Sequence, residues 1–512
     1  MLEKLLKFIE KNLLWLIIGL YLLITLPALF DPNHFLFNLE PYPDGILYAL
    51  SGKNFWLGNG LKLIFEFGEK TQWVPPIYSM LLGLPALFFV QPIAFYLMNI
   101  LIGVGFLSVF YWLLTKTTKN KLSQILAMLI LLSHSLLFFL PTIPMTENLT
   151  LLFFTTIITS FFIDGYKKYT LLTLAFIGAL FTRYSILPII MAGILIIPLL
   201  FLQKVALKKK LIIIFFTLAL FLLALLFLSL AKINAYSFLH SVMSNSSSWQ
   251  GTRFIYPNFI TYYKMLLFNK GLFLWLNVGL TNFIFFGLFL ASWVVMWKKK
   301  LWPKFWILTV LFIAQLPLQL VFYVADARYL IYTLPLVVLG VAWLVDALPE
   351  KKKLLIPLAI FGIVLQLFMQ RTLVKQIIAD NLLGKSTAWQ YEAILHFNNN
   401  LNDGDLLITA LPPFLVDTYQ TKAYRVLPLS YTQEFMNKKQ YLWGNDLNYE
   451  DLLATYQSWL DEDKTVYISN AYITHHQNVI KDFETYKQNF SLILIANGCE
   501  QACNIYQLQL KP

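Results

Sequence analysis

Pro75-Pro76-Ile77-Tyr78-Ser79-Met80-Leu81-Leu82-Gly83-Leu84-Pro85-Ala86-Leu87-Phe88-Phe89-Val90 runs into Gln91-Pro92. Whether this stretch crosses a membrane decides the fold. Of the 512 residues, 58% are hydrophobic and only 13% charged, where a soluble domain carries roughly 25% charged residues. Mean hydropathy is +0.64. Apolar runs of about 20 residues recur, each long enough to span about 30 Å of hydrocarbon. Short lysine runs separate them: Lys116, Lys119 and Lys121; Lys167 and Lys168; Lys204 and Lys208 to Lys210; Lys298 to Lys300; Lys351 to Lys353. Cytoplasmic loops collect such charges. If 75–90 crossed, Lys116 to Lys121 would fall outside. As a helix lying at the outer face, or re-entrant and covered by protein, it leaves every lysine cluster inside.

The rest of the threading follows. Lys4, Lys7 and Lys11 hold the N-terminus inside, and Leu13 to Phe30 reads as a retained signal anchor, since no convincing small-residue cleavage site follows. Apolar segments then run at Ile93 to Leu114, Leu122 to Leu140 and Leu149 to Ile163. One more comes out to Arg183 and another returns to the Lys204 cluster. Leu211 to Leu230, Leu272 to Trp297, Phe305 to Val324, Leu330 to Leu348 and Leu354 to Met369 complete the set. The expected fold is an α-helical polytopic membrane protein of about eleven membrane helices, with a small C-terminal α/β soluble domain. Its N-terminus is cytoplasmic, its C-terminal domain extracytoplasmic, and it sits in the cell membrane as a multi-pass protein. The expected domains are 1–370, with outer loops 31–92 and 232–270, and 371–512. The net charge of +12 is on this reading a topology signal, not a nucleic-acid footprint.

From about Gln370 the composition turns to Asn, Asp, Tyr and Gln. Asp405 to Ala410, Thr465 to Ser469 and Ser491 to Ala496 read as short buried strands, and Tyr449 to Leu460 as a helix between them. Cys499 and Cys503 are the only cysteines. Outside the cytosol such a pair can oxidise, although the spacing alone leaves free thiols open. A metal site would need further ligands, for which His475-His476 is the nearby candidate.

Ionisable residues outside the lysine runs gather on one side. Glu40, Asp44, Glu66, Glu69, Glu147, Arg183, Arg253, Asp326 and Arg328 all fall at or beyond the outer ends of the apolar segments. Charged groups near a bilayer are expensive and mark function by default. Arginines hold phosphate bidentately, and a carboxylate can take a proton from a hydroxyl. The set therefore suits transfer chemistry on a phosphate-linked lipid. Each residue also has a bland reading. Asp44 can cap the helix that follows it, and Glu147 can cap its own. Arg183 and Arg328 can snorkel to headgroups, and Asp326 with Arg328 can form a local ion pair. His34, His134, His240 and His396 are scattered without ligand spacing. Trp249, Tyr256, Tyr262 and Tyr263 read first as an interfacial belt.

In order and sidedness these features resemble the GT-C class of membrane glycosyltransferases, nearest to the protein mannosyltransferase-like and aminoarabinose-transferase-like families. Asp44-Gly45-Ile46-Leu47-Tyr48, then Gly58-Asn59-Gly60, then Pro75-Pro76-Ile77-Tyr78 carry the likeness in the first outer loop. Glu147, Phe181-Thr182-Arg183, and Arg328-Tyr329 followed by Pro335 carry it further on. The resemblance covers about residues 1 to 370. It implies a sugar donor on a polyprenyl phosphate and an acceptor hydroxyl on protein, lipid or glycan. Arg183, Arg253 and Arg328 would bind the donor phosphate. Asp44 would be the general base of an inverting displacement, with Glu147 orienting the acceptor or assisting Asp44. Tyr48, Tyr78, Asp326 and Tyr329 would contact substrate. Some GT-C enzymes use a divalent metal, which Asp44 and Glu147 could share, but no metal or other cofactor is assigned. The expected partners are thus the lipid-linked sugar, its acceptor and membrane lipid, with no nucleic acid. Rival readings are a lipid-linked glycan polymerase or ligase, a flippase or transporter, and a non-catalytic anchor.

Overall fold

The computed structural model describes residues 2–30, 44–65, 68–71, 75–88, 93–134, 136–137, 145–183, 186, 255–268, 281–321, 327–348, 351–370, 392–411, 416, 420–429, 449–471, 473 and 477–511. The expected segments between Arg183 and Leu230 lie outside them. So do most of the 232–270 loop, Arg253, Asp326 and the side chains of Asp44 and Arg328.

Contacts divide the chain into two compact units: Met1–Phe30, Trp73–Tyr78 and Tyr96–Asp380 in the first, Asp31–Gln72, Ser79–Phe95 and Asn381–Pro512 in the second. The helices are α1 (Leu2–Phe30), α2 (Asp44–Trp56), α3 (Pro76–Ala86), α4 (Ile93–Thr117), α5 (Lys121–Leu132), α6 (Glu147–Ser160) and α7 (Tyr166–Leu180). After these come α8 (Ile255–Leu267), α9 (Phe283–Lys298), α10 (Trp302–Val321), a 3₁₀ turn (Ala327–Leu330), α11 (Thr333–Ala347) and α12 (Lys352–Met369). Tyr96–Thr117 of α4, 22 residues at mean hydropathy 2.0, is long and apolar enough by itself to cross a membrane. The α3 helix has 11 residues, about 16 Å at 1.5 Å each, which is short of a crossing.

The first unit is helix on helix, and glycines set its closest approaches. A Cβ at Gly103 of α4 would meet the Tyr21 hydroxyl of α1 at 2.1 Å, and one at Gly340 of α11 would meet the Phe289 ring of α9 at 2.7 Å. Beside the second approach, Phe289, Trp293 and Phe312 stack with centroids 5.1 to 5.5 Å apart. The helix starts are capped by their own sequence. Asn282 accepts from the Ile284 and Phe285 N–H groups, each at 3.1 Å, as an N-cap residue does. At the opposite end of the bundle from Glu147, Asp346 accepts from the Lys119 and Asn120 N–H groups, each at 3.0 Å. There Lys304 donates to the Thr117 carbonyl at 2.6 Å and lies over the Trp343 ring.

In the second unit α2 crosses α3 where both carry glycine. A Cβ at Gly52 would lie 1.8 Å from the Ser79 carbonyl oxygen, and one at Gly83 would lie 2.0 Å from the Gly52 carbonyl carbon. Trp56 ties the pair by donating its indole N–H to the Met80 carbonyl at 2.7 Å. A short ribbon, β1 (Lys62–Phe65) with β2 (Gly68–Thr71), follows α2. The C-terminal part holds a five-stranded sheet, ordered β4 (Arg425–Pro428), β3 (Leu406–Thr409), β5 (Val466–Ser469), β7 (Ile505–Leu510), β6 (Phe490–Ala496). Strands β4, β3 and β5 are parallel, while β7 runs antiparallel to both β5 and β6. Helices α13 (Tyr449–Asp461) and α14 (Gln477–Asn489) lie between strands in the chain. Cys499 and Cys503 form a disulfide.

Candidate functional site

Glu147 is the first residue of α6, and its side chain is 1% exposed. It does not cap its own helix. One carboxylate oxygen, Oε1, takes a charge-assisted hydrogen bond and ion pair from Nη1 of Arg183. Arg183 follows the end of α7, where its backbone N–H still donates to the Ala179 carbonyl at 3.0 Å. Its side chain is 13% exposed, so it turns into the protein rather than out to headgroups. Its guanidinium lies over the Tyr329 ring, 5.5 Å from the centroid. Tyr329 sits in the 3₁₀ turn beside Arg328. Three segments far apart in sequence thus meet at one cation.

The same end of the bundle is knit further. The Ile77 N–H donates to the Phe181 carbonyl at 3.0 Å, which fixes the Pro75-Pro76-Ile77-Tyr78 turn against the end of α7. Tyr78, fully buried, donates its hydroxyl to Asn99 Oδ1 of α4 at 2.7 Å. Below this layer Phe154 stacks on Tyr332 at 5.3 Å. Gly178 of α7 lies so close to Phe153 that a Cβ there would meet the ring at 2.3 Å.

The chain shares the fold of ArnT. The crystal structure of ArnT from Cupriavidus metallidurans in the apo state matches with a TM-score of 0.60 at 10% identity, over 96% of this chain and 97% of that one. The structure of the same protein bound to undecaprenyl phosphate matches at 0.57 and 12% identity, with the same coverage. No protein-family model matches the sequence, and no curated protein does. The GT-C likeness first drawn from scattered motifs therefore holds for the fold, and it extends past residue 370 to nearly the whole chain.

Of the sequence-derived site residues, the structure joins Glu147, Arg183 and Tyr329, and places Tyr78 in the first unit with them. Asp44 opens α2, and Tyr48, one turn on, is buried within that helix. Sequence reasoning passed over Asn99 and Asn148. Both are buried amides; Asn99 stands in an otherwise apolar stretch and Asn148 directly follows Glu147, and those placements were the available signal. Among the described residues no three His, Cys, Asp or Glu side chains gather as metal ligands.

Proposed function

We propose that this chain is an integral membrane glycosyltransferase that moves a sugar from a polyprenyl phosphate to an acceptor hydroxyl at the outer membrane face. The observation that carries the proposal is the buried Glu147–Arg183 pair under Tyr329, in a chain whose fold matches ArnT end to end. A buried ion pair is poor value as a stabiliser, because desolvation cancels most of the attraction. Its retention at the bundle end where ionisable residues collect fits a site that handles charge. The disulfide agrees with a C-terminal domain, 371–512, on the oxidising side, as expected of a multi-pass chain with a cytoplasmic N-terminus.

In the proposed reaction the acceptor oxygen attacks the anomeric carbon while Asp44 takes its proton. The bond from that carbon to the phosphate oxygen breaks, and the electron pair leaves on the polyprenyl phosphate. One displacement inverts the anomeric centre. The leaving group is already anionic, so no general acid is needed, unlike in glycoside hydrolysis. Arg183, with Arg328 and Arg253, offsets the phosphate charge. A guanidinium has five donors, so holding Glu147 is compatible with holding phosphate. Glu147 fixes Arg183 and orients the acceptor. Tyr48, Tyr78, Asp326 and Tyr329 complete the substrate contacts. A divalent ion fits Glu147 poorly, because Arg183 already supplies the positive charge at that carboxylate. The acceptor is a protein, lipid or glycan.

The test is a transfer assay with purified protein, undecaprenyl-phosphate sugars and candidate acceptors. Asp44→Asn should reduce turnover by about 10²–10⁴-fold, the usual worth of a general base, with folding intact. Wild-type turnover in that variant would remove Asp44 from the mechanism.

A further inference from the structure

The α6 helix leaves polar atoms open on one side. Most of its hydroxyls close onto their own helix: Thr150 donates to the Thr146 carbonyl at 2.6 Å, Thr156 to Leu152 at 2.7 Å and Thr159 to Thr155 at 2.8 Å. This is the ordinary fate of a helical threonine. Asn148 differs. It is 1% exposed, and neither Oδ1 nor Nδ2 has a hydrogen-bond partner among the described residues. The same holds for Thr155 Oγ1 and for Oε2 of Glu147, the oxygen that Arg183 does not take. At about 100° per residue, Asn148 and Thr155 fall on one side of α6, opposite Phe153 and Phe154, which pack on Gly178 and Tyr332. Glu147 falls about 100° round the helix from Asn148, on the edge next to Phe154, and reaches the Asn148 side only through its long side chain. A buried amide without partners is costly, so a chain that keeps one in the first turn of this helix has a polar group to meet there.

We propose that Asn148 is a specificity-determining residue that hydrogen-bonds a hydroxyl of the saccharide substrate. The reasoning is one of complementarity. Nδ2 donates, whereas Oδ1 and Glu147 Oε2 accept. Phosphate only accepts, and its charge would face two acceptor oxygens. A lipid tail does neither. A hydroxyl both accepts from Nδ2 and donates to Oδ1, and a neighbouring hydroxyl of the same sugar donates to Oε2. The division of labour follows: Arg183 handles phosphate, and the Asn148 side of α6 reads the sugar. The inference rests on the glycosyltransferase reading.

The experiment uses the full-length protein in lipid nanodiscs, comparing wild type, Asn148→Leu and Asn148→Ala. Transfer is measured with undecaprenyl-phosphate hexoses and their singly deoxygenated analogues, varying donor and acceptor in turn. Affinity for sugar-free undecaprenyl phosphate and the unfolding temperature are measured beside it. Asn148→Leu should raise KM for one substrate by about tenfold, the worth of one good hydrogen bond. It should erase the discrimination against one deoxy analogue and leave undecaprenyl phosphate affinity unchanged. Which KM moves tells whether the hydroxyl belongs to the donor sugar or to the acceptor. Without substrate the Leu variant should unfold about 1–3 °C higher, because an unpartnered amide is gone; a residue kept only for architecture would give a drop. Asn148→Ala, which adds no bulk, should show the same loss of discrimination. If wild type transfers and both variants keep every kcat/KM and every deoxy preference within twofold, the inference is wrong, and only ordered water meets the amide. If wild type transfers from no donor, the glycosyltransferase reading falls, and this inference falls with it.

Discussion

The α6 helix and the surroundings of the C-terminal sheet differ in how their buried asparagines are satisfied. Around the sheet most buried polar groups are closed by the protein, with His396 Nε2 and Gln420 Oε1 as exceptions among the described residues. Thr409 and Ser469, at the ends of β3 and β5, accept from the N–H groups two residues on, each at 3.1 Å. Asn398 Oδ1 takes the Thr421 N–H and the Tyr424 hydroxyl, each at 3.1 Å. Asn470 accepts from the Asn504 N–H at 2.7 Å. Along α6, Asn148, Thr155 and one oxygen of Glu147 stay open although they are at least as deeply buried as Asn398. A closed network specifies architecture. An open one, beside a buried ion pair, suits a place where a ligand completes the set.

The sharpest way to break the comparison is Arg183→Ala. It strands the Glu147 carboxylate, and loss of one partner from a buried pair costs about 3–5 kcal/mol. Chemical or thermal unfolding in detergent should show that loss, and transfer should vanish. Adding Glu147→Gln should recover much of the stability without recovering turnover. A single variant that both unfolds and transfers like wild type would show that the pair is solvated and functionally idle.

Asn398→Ala sits next in size. It removes the acceptor that the Thr421 N–H and the Tyr424 hydroxyl share, so stability should fall by about 1–3 kcal/mol, the opposite sign from Asn148→Leu. Equal signs for the two asparagines would erase the distinction between closed and open networks.

The smallest effect is one of pH. Burial lowers the pKa of His396, partly offset by a hydrogen bond with the Ala496 backbone. The unfolded chain therefore binds this proton more readily than the folded one. Stability contributed by neutral His396 is present above the ordinary histidine value of about 6.5 and declines as pH falls through it. Unfolding followed from pH 7.5 to 5.5 should show the decline, and His396→Gln should flatten it. An unchanged slope in that variant would assign the pH response to another group.

Local pattern made much of this legible. Short apolar runs marked β3, β5 and β6 to within a residue or two, and the amphipathic Tyr449 to Leu460 run marked α13. Two strands of the C-terminal sheet escaped, as did the β1–β2 ribbon. Arg425-Val-Leu-Pro428 is bounded by a charge and a proline and Ile505-Tyr-Gln-Leu-Gln-Leu510 is too polar to stand out, yet β4 pairs with β3, and β7 with β5 on one side and β6 on the other. Pairing partners, not intrinsic propensity, make such segments strands. At the site, sequence assigned Glu147 to orient the acceptor and Arg183 to phosphate. It had no means of showing that the two touch, since 36 residues separate them.

Sequence by itself determined that the chain is rich in apolar segments, that its ionisable residues cluster away from its lysine runs, and that Pro75-Pro76 opens a helix. These are properties of composition and short-range order, set by hydration and backbone sterics within a few residues. The tertiary structure alone decided which charge meets which, that Tyr329 covers Arg183, that Tyr78 bonds Asn99, and that Asn148 is left with its amide open. Those outcomes depend on how helices distant in the chain pack against one another, and a buried polar group is satisfied or stranded only once every neighbour is in place.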